Sequence, residues 1–143
     1  MVKDIVKGKI TVISKEITDF ESENFKNAIQ DLTDTFYKGG HATCVGLAAC
    51  QIGINDRIIL VKDNNKVLIM VNPEILEQKG NQLGMEGCLS FPEVYKNIER
   101  PVRIKIKYQT ILGNTKNQTY NGFTARIICH EVDHLNGICK VGE

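Results

Sequence analysis

Late in the 143-residue chain, His130-Glu131-Val132-Asp133-His134 spells H-E-x-x-H. Residues four apart on an α-helix rise about 6 Å and lie on nearly one face, so both imidazoles can reach a single cation. Glu131 directly follows the first histidine and can lean over the open side of the ion. A carboxylate there takes a proton from a water whose pKa the cation has lowered toward neutrality. A plain amphipathic helix with two hydrogen-bonded histidines would carry the same letters. Chance yields the pattern in roughly one chain of this length in several hundred, and two of the three histidines fall in it.

Two imidazoles hold a metal loosely, so a third ligand is required. Cys88, in Glu86-Gly87-Cys88-Leu89-Ser90, is the best candidate: Gly84 and Gly87 allow tight backbone around it, and polar groups flank it. Two histidines, one cysteine and a water make an open, catalytic arrangement. A single cysteine is more often a small buried hydrophobe. Cys129 is read that way, since it sits about 100° around the helix from His130, and Cys139 is read as structural as well. A third segment, Cys44-Val45-Gly46-Leu47-Ala48-Ala49-Cys50-Gln51-Ile52-Gly53, is rich in small residues. Gln51 offers amide donors for a developing oxyanion, although Gly-Leu-Ala-Ala reads equally well as a tightly packed interior strand.

The elements that must position these groups follow from periodicity. Phe25, Ile29, Leu32 and Phe36 form one helical stripe after a Ser22 cap, and Gly39-Gly40 stops it. Arg57 to Lys62 and Lys66 to Val71 are β-branched runs joined by a turn at Asp63-Asn64-Asn65, and Asn72-Pro73 is expected to close the second. Val102, Ile104, Ile106 and Tyr108 alternate with cationic residues, giving a strand with one wet face. Gly113-Asn114 turns the chain into a polar return strand around Asn117 to Tyr120. Phe123, Ile127, His130 and His134 then share one face of a helix ending at Asn136-Gly137. Helix, antiparallel strands and helix predict an α+β fold.

Composition narrows the field further. With 18 basic against 17 acidic side chains there is no electrostatic footprint for nucleic acid or an anionic membrane. No apolar run approaches a membrane span or a signal peptide, so a cytoplasmic location is expected. Five cysteines, Cys44, Cys50, Cys88, Cys129 and Cys139, do not make a disulfide framework. Residues 1–143 are expected to form one domain, long enough to bury roughly 68% of its unfolded surface.

Together the three segments resemble the signature of the peptide deformylases, metallohydrolases that remove the formyl group from the starting methionine of new bacterial polypeptides. That family carries G-x-G-x-A-A-x-Q, then E-G-C-x-S, then H-E-x-x-H, matched here by Cys44 to Gln51, Glu86 to Ser90 and His130 to His134. The resemblance implies antiparallel sheets packed around a central C-terminal helix that carries H-E-x-x-H, with an N-terminal helix. It implies Cys88, His130 and His134 as metal ligands, Glu131 as general acid/base, and Gln51 with the Leu89 N–H as oxyanion donors. Gly46 and Val45 would meet the substrate backbone, and Phe123 and Ile127 would help wall the methionine pocket. The implied cofactor is one divalent transition metal, Fe(2+) first and Zn(2+) or Ni(2+) next. The implied partners are N-formylmethionyl nascent peptides near the ribosome exit, with no nucleic acid and no membrane. Two departures stand out. Cys44 replaces the first glycine of the opening motif, and only nine residues follow His134 where many members continue into a further helix. The alternatives are a deformylase-like metal-binding protein without significant activity, whose fourth ligand could be Cys44 or Cys50, and another H-E-x-x-H metallopeptidase.

Overall fold

A computed structural model describes residues 1–41 and 43–143. Its elements are α1 (Glu23–Lys38), β1 (Gly46–Ala48), a 3₁₀ turn (Ala49–Ile52), β2 (Ile58–Asp63), β3 (Lys66–Lys79), β4 (Gln82–Cys88), β5 (Phe91–Arg100), β6 (Arg103–Gln109), β7 (Thr115–Asn121), α2 (Gly122–Leu135) and a closing 3₁₀ turn (Lys140–Gly142). One antiparallel sheet runs in the order β1-β2-β3-β6-β7, and β4-β5 forms a separate two-stranded ribbon. The fold is therefore α+β, as the sequence predicts.

Burial of β2 on both faces organises the core. Side chains alternate along a strand, so Ile58 and Leu60 pack with Phe25, Leu32 and Phe36 of α1. Ile59 and Val61 point the other way and pack with Ile127, Ile128 and Val132 of α2. A run of four consecutive apolar residues is what a strand covered on both faces requires. In β6, Ile104, Ile106 and Tyr108 join the α2 side, while Arg103, Lys105 and Lys107 are exposed. The α1 signals act as written: Ser22 Oγ accepts the Phe25 N–H at 3.1 Å, and the Gly39 N–H closes the last turn on the Thr35 carbonyl at 3.0 Å.

Two features depart from the sequence expectation. Asn72-Pro73 does not end the strand, because β3 runs on to Lys79 through an irregularity between Val71 and Glu74. Proline cannot donate to a ladder and is tolerated at such a bulge. Asn72 takes φ of 51°, a left-handed conformation that asparagine tolerates better than most residues. Its side chain then holds three partners: Oδ1 accepts the Ile17 N–H at 2.8 Å, and Nδ2 donates to the Ile17 carbonyl and Gln109 Oε1, each at 2.8 Å. The second departure is the β4-β5 ribbon, which has no clean alternation in sequence. Of its three buried residues, Glu86, Ile98 and Arg100, two are charged.

Replacing Asn72 by alanine should destabilise the protein by about 2–3 kcal/mol, through a strained φ and two backbone groups of Ile17 left without a partner. Urea unfolding measures it, and a loss below about 0.5 kcal/mol would show that the bulge does not depend on this side chain.

Candidate metal centre

The centre forms where the ribbon crosses α2. A helical spacing of four brings His130 Nε2 and His134 Nε2 to 3.2 Å. The end of β4 delivers Cys88 Sγ to 3.4 Å from His134 Nε2. The ligand atoms of Cys88, His130 and His134 all lie within 4.8 Å of one another. A tetrahedral ion with its usual bonds to imidazole and thiolate separates neighbouring ligands by roughly 3.3–3.5 Å, so the donor set and its spacing fit a divalent transition metal with one position open. Cys44 and Cys50 stand outside this cluster. Their thiols reach backbone carbonyls, Cys44 that of Gly46 at 3.2 Å and Cys50 that of His134 at 3.5 Å, and burial pushes both up to about 12.

What orients His130 is a carboxylate of the second motif, 44 residues away in the chain. Glu86 Oε1 lies 2.8 Å from His130 Nδ1, which leaves Nε2 to face the cluster. Glu86 is itself held by Arg100, through Nε at 3.0 Å and Nη2 at 3.0 Å, and by Arg126 Nη1 at 2.6 Å. Arg100 Nη1 continues to Asp133 Oδ2 at 2.6 Å. Burial opposes the charge on Glu86, yet the His130 and Arg100 hydrogen bonds outweigh it and hold the carboxyl down at about 2. The same contact outweighs burial at His130 and raises its pKa. His134 is pushed the other way, down to about 3, by burial and then by the charges of His130 and Arg100, so it stays neutral and able to ligate.

The sequence held a signal for this network. Arg126 interrupts the apolar run Ala125-Arg126-Ile127-Ile128, and Arg100 occupies the same strand face as Ile98. An arginine at an inward position needs a buried anion. Arg126 reaches its place because Gly84 has no side chain: a Cβ there would lie 2.7 Å from the guanidinium carbon.

Glu131 sits on the other side of the ligands. It is 4% exposed, its Oε1 has no hydrogen-bond partner, and burial raises its pKa to about 7. Room for it comes from Gly46, where a Cβ would stand 2.7 Å from Glu131 Oε2 and 2.7 Å from Ile127 Cγ2. Gln51 Oε1 accepts the Ala48 N–H at 3.0 Å, while Nε2 points to Ser90 Oγ at 3.3 Å and Cys88 Sγ at 3.5 Å. The cavity above these groups measures about 660 Å³. Val45, Gly46, Gln51, Cys88 and Leu89 line it, with Phe123, Ile127, His130 and Glu131 from α2, and His134 is buried beneath. Ile127 is 5% exposed and forms wall, whereas Phe123 is 64% exposed and stands at the rim. Cys129 is core, as expected. Cys139, read as structural, is half-buried, and its proximity together with burial and the Glu131 charge holds the Cys88 thiol well above its ordinary value.

Comparison with known proteins gives one answer. The family model described as Polypeptide deformylase matches residues 2–142. The chain is 43% identical over 126 residues to the peptide deformylase of Thermotoga maritima, a match covering 87% of this chain and 74% of the relative. The crystal structure of peptide deformylase from Thermotoga maritima superposes with a TM-score of 0.89 at 38% identity, covering 97% of this chain and 95% of that one. The Met-Ala-Ser-bound class I type b peptide deformylase from Acinetobacter baumannii superposes with a TM-score of 0.91 at 34% identity, covering 100% and 99%.

The depressed Glu86 carboxyl makes a signed prediction. Its charged form stabilises the fold above the ordinary pKa of 4.5, and that contribution is lost as pH falls toward about 2. In chelator-treated protein, the stability gap between wild type and Glu86→Gln should therefore be full near neutrality and close between pH about 4.5 and about 2. Thermal unfolding across that range measures it, and a gap independent of pH would mean that Glu86 contributes by shape alone.

Proposed function

Since this chain belongs to the polypeptide deformylase family, we infer that it hydrolyses the N-formyl group of the initiator methionine of nascent polypeptides and releases formate. The observation that carries the reading is the open three-ligand cluster with a buried, unpartnered carboxylate oxygen of Glu131 beside it. A closed structural site would offer a fourth protein ligand.

Cys88, His130 and His134 would hold the metal, which we assign as ferrous iron, with zinc or nickel acceptable to the same ligands. When bound, the metal polarises the formyl oxygen and lowers the pKa of water so that hydroxide is available near neutral pH. Glu131 takes the proton from the attacking water and returns it to the departing amine nitrogen. Its buried Oε1 has no hydrogen-bond partner to hold it in one charge state, so it can do both. Gln51, fixed through its carbonyl oxygen by Ala48, turns its amide N–H groups toward the reacting carbon. With the Leu89 N–H it donates to the oxyanion as the carbonyl becomes tetrahedral.

Substrate binding follows from the sheet edge. β1 pairs with β2 on one side only, so the other side of Val45 and Gly46 can accept an extended peptide through backbone hydrogen bonds. Such pairing is indifferent to side chains, which suits an enzyme that meets every nascent chain. The methionine side chain enters between Ile127, Phe123 and Val45, an apolar wall fitted to a thioether. Residues 1–143 act as one hydrolase domain, meeting nascent chains in the cytoplasm near the ribosome exit. Consistent with this, no helix among the described residues is long and apolar enough to cross a membrane, and the charge is nearly balanced.

Protein prepared anaerobically with ferrous iron should release formate from formyl-Met-Ala-Ser. Cys88→Ala should lose most of the bound metal. Glu131→Gln should keep the metal while kcat falls by at least about 10²-fold. Formate release assays and metal analysis check all three. No formate from the loaded wild-type enzyme would overturn the reading, and normal turnover by Glu131→Gln would remove Glu131 from the proton path.

A further inference from the structure

Three consecutive residues near the start of the chain reach the two segments that carry Gln51 and Leu89. The Val6 N–H donates to the Gln51 carbonyl at 2.7 Å and the Gly8 N–H to the Ser90 carbonyl at 2.8 Å. Between them, the Lys7 ammonium donates to the Leu89 carbonyl at 3.2 Å. Ile5, just before, is buried in the core on the α1 side, and Gly8 takes φ of 83°, a left-handed conformation that glycine adopts without strain.

Gln51 belongs to the 3₁₀ turn after β1, and Leu89 to the turn between β4 and β5. The two turns hang on separate sheets, and residues 6–8 tie them together with Lys7 held between two backbone anchors. Lys7 is exposed and lines the same cavity as Cys88 and Glu131. The cavity wall carries one other lysine or arginine, Arg126, whose charge is taken up by Glu86. The partner of Lys7 is a neutral carbonyl, so its charge is left to act on the cavity.

We propose that Lys7 is a positioning residue for the hydrolysis: anchored on the Leu89 carbonyl, it sets a positive charge beside the place where the oxyanion forms. This rests on the deformylase reading and adds a residue to its machinery. The formyl oxygen is neutral in the bound substrate and becomes negative as the carbon turns tetrahedral. A fixed cation nearby therefore lowers the transition state more than the ground state, and its effect falls on kcat with KM nearly unchanged. An exposed ammonium is partly screened by water, so the gain is modest, about three- to fivefold. The hydrogen bond to Leu89 spans 82 positions of the chain.

The test uses metal-loaded enzyme, formyl-Met-Ala-Ser and the variants Lys7→Met, Lys7→Arg and Lys9→Met, the last removing an equal charge from an exposed lysine two residues on. Lys7→Met should lower kcat about three- to fivefold at unchanged KM, Lys7→Arg should keep most of the rate, and Lys9→Met should match wild type. In about 1 M KCl, where the screening length falls to about 3 Å, the gap between wild type and Lys7→Met should largely close. Formate carries the charge of the oxyanion, so by calorimetry it should bind Lys7→Met about three- to fivefold more weakly than wild type. Equal kcat in Lys7→Met and wild type, a change confined to KM, or the same loss in Lys9→Met would overturn this role while leaving deformylation intact. A loss that persists in high salt, or that comes with lost metal or a lower Tm, would also overturn it, because residues 6–8 would then merely brace the two turns. Formate release by no variant, wild type included, would overturn the deformylase reading and the role of Lys7 with it.

Discussion

The Glu86 carboxylate ties together the three elements on which the site depends. It leaves β4, is gripped by Arg100 from β5 and Arg126 from α2, and touches His130 of the metal cluster. Asp133 balances the second positive charge through Arg100, so two carboxylates face two guanidinium groups in a nearly dry environment. Removing charges from water is costly, and a buried network is worth keeping only when each member is paired. Here each hydrogen bond also sets a distance. Shortening Glu86 by one methylene would release His130, loosen the ribbon and move Cys88 together, because all three hang on one group.

This explains why the ribbon exists without an apolar pattern of its own. A two-stranded ribbon alone is marginal in water. This one is anchored by Arg126, which also donates to the carbonyls of Gln82 and Ile98 at 2.7 and 2.8 Å. The main sheet is built on the opposite principle, with β2 buried on both faces and α1 and α2 covering it. The candidate metal ligands thus come from two regimes: the histidines from a helix locked in a hydrophobic core, the cysteine from a strand held by ions. Closeness between them relies on glycines at the crossing, Gly46 below Glu131 and Gly84 below Arg126.

Burial also divides the titratable groups by task. Glu86 and Glu131 are both nearly inaccessible, yet one is held far below the usual carboxylate range and the other is raised to about 7. The difference lies in partners, since Glu86 has two guanidinium groups and Glu131 has a carboxylate oxygen with none. One carboxylate is fixed in its charge and serves geometry. The other has no partner that holds it in one charge state.

The sequence by itself determined the parts whose signals are local. Ser22, the 25-29-32-36 stripe, the Asp63 to Asn65 turn, the β6 alternation and the H-E-x-x-H helix each depend on neighbours within a few residues, and each appears where the spacing places it. The motif residues also pointed to the side chains that converge, because Cys88, His130 and His134 are of the types that bind metal. Asn72-Pro73 misled, since its strand-breaking chemistry is overridden by contacts with Ile17 and Gln109, 55 and 37 residues away. The ribbon, the buried arginine network and the exposed apolar rim of the cavity were likewise decided only in three dimensions. Each is a pairing between residues far apart in the chain, and a charged residue announces that it needs a partner without saying which one. Tertiary packing makes that choice, because only the folded arrangement places the available anions and cations within reach of one another.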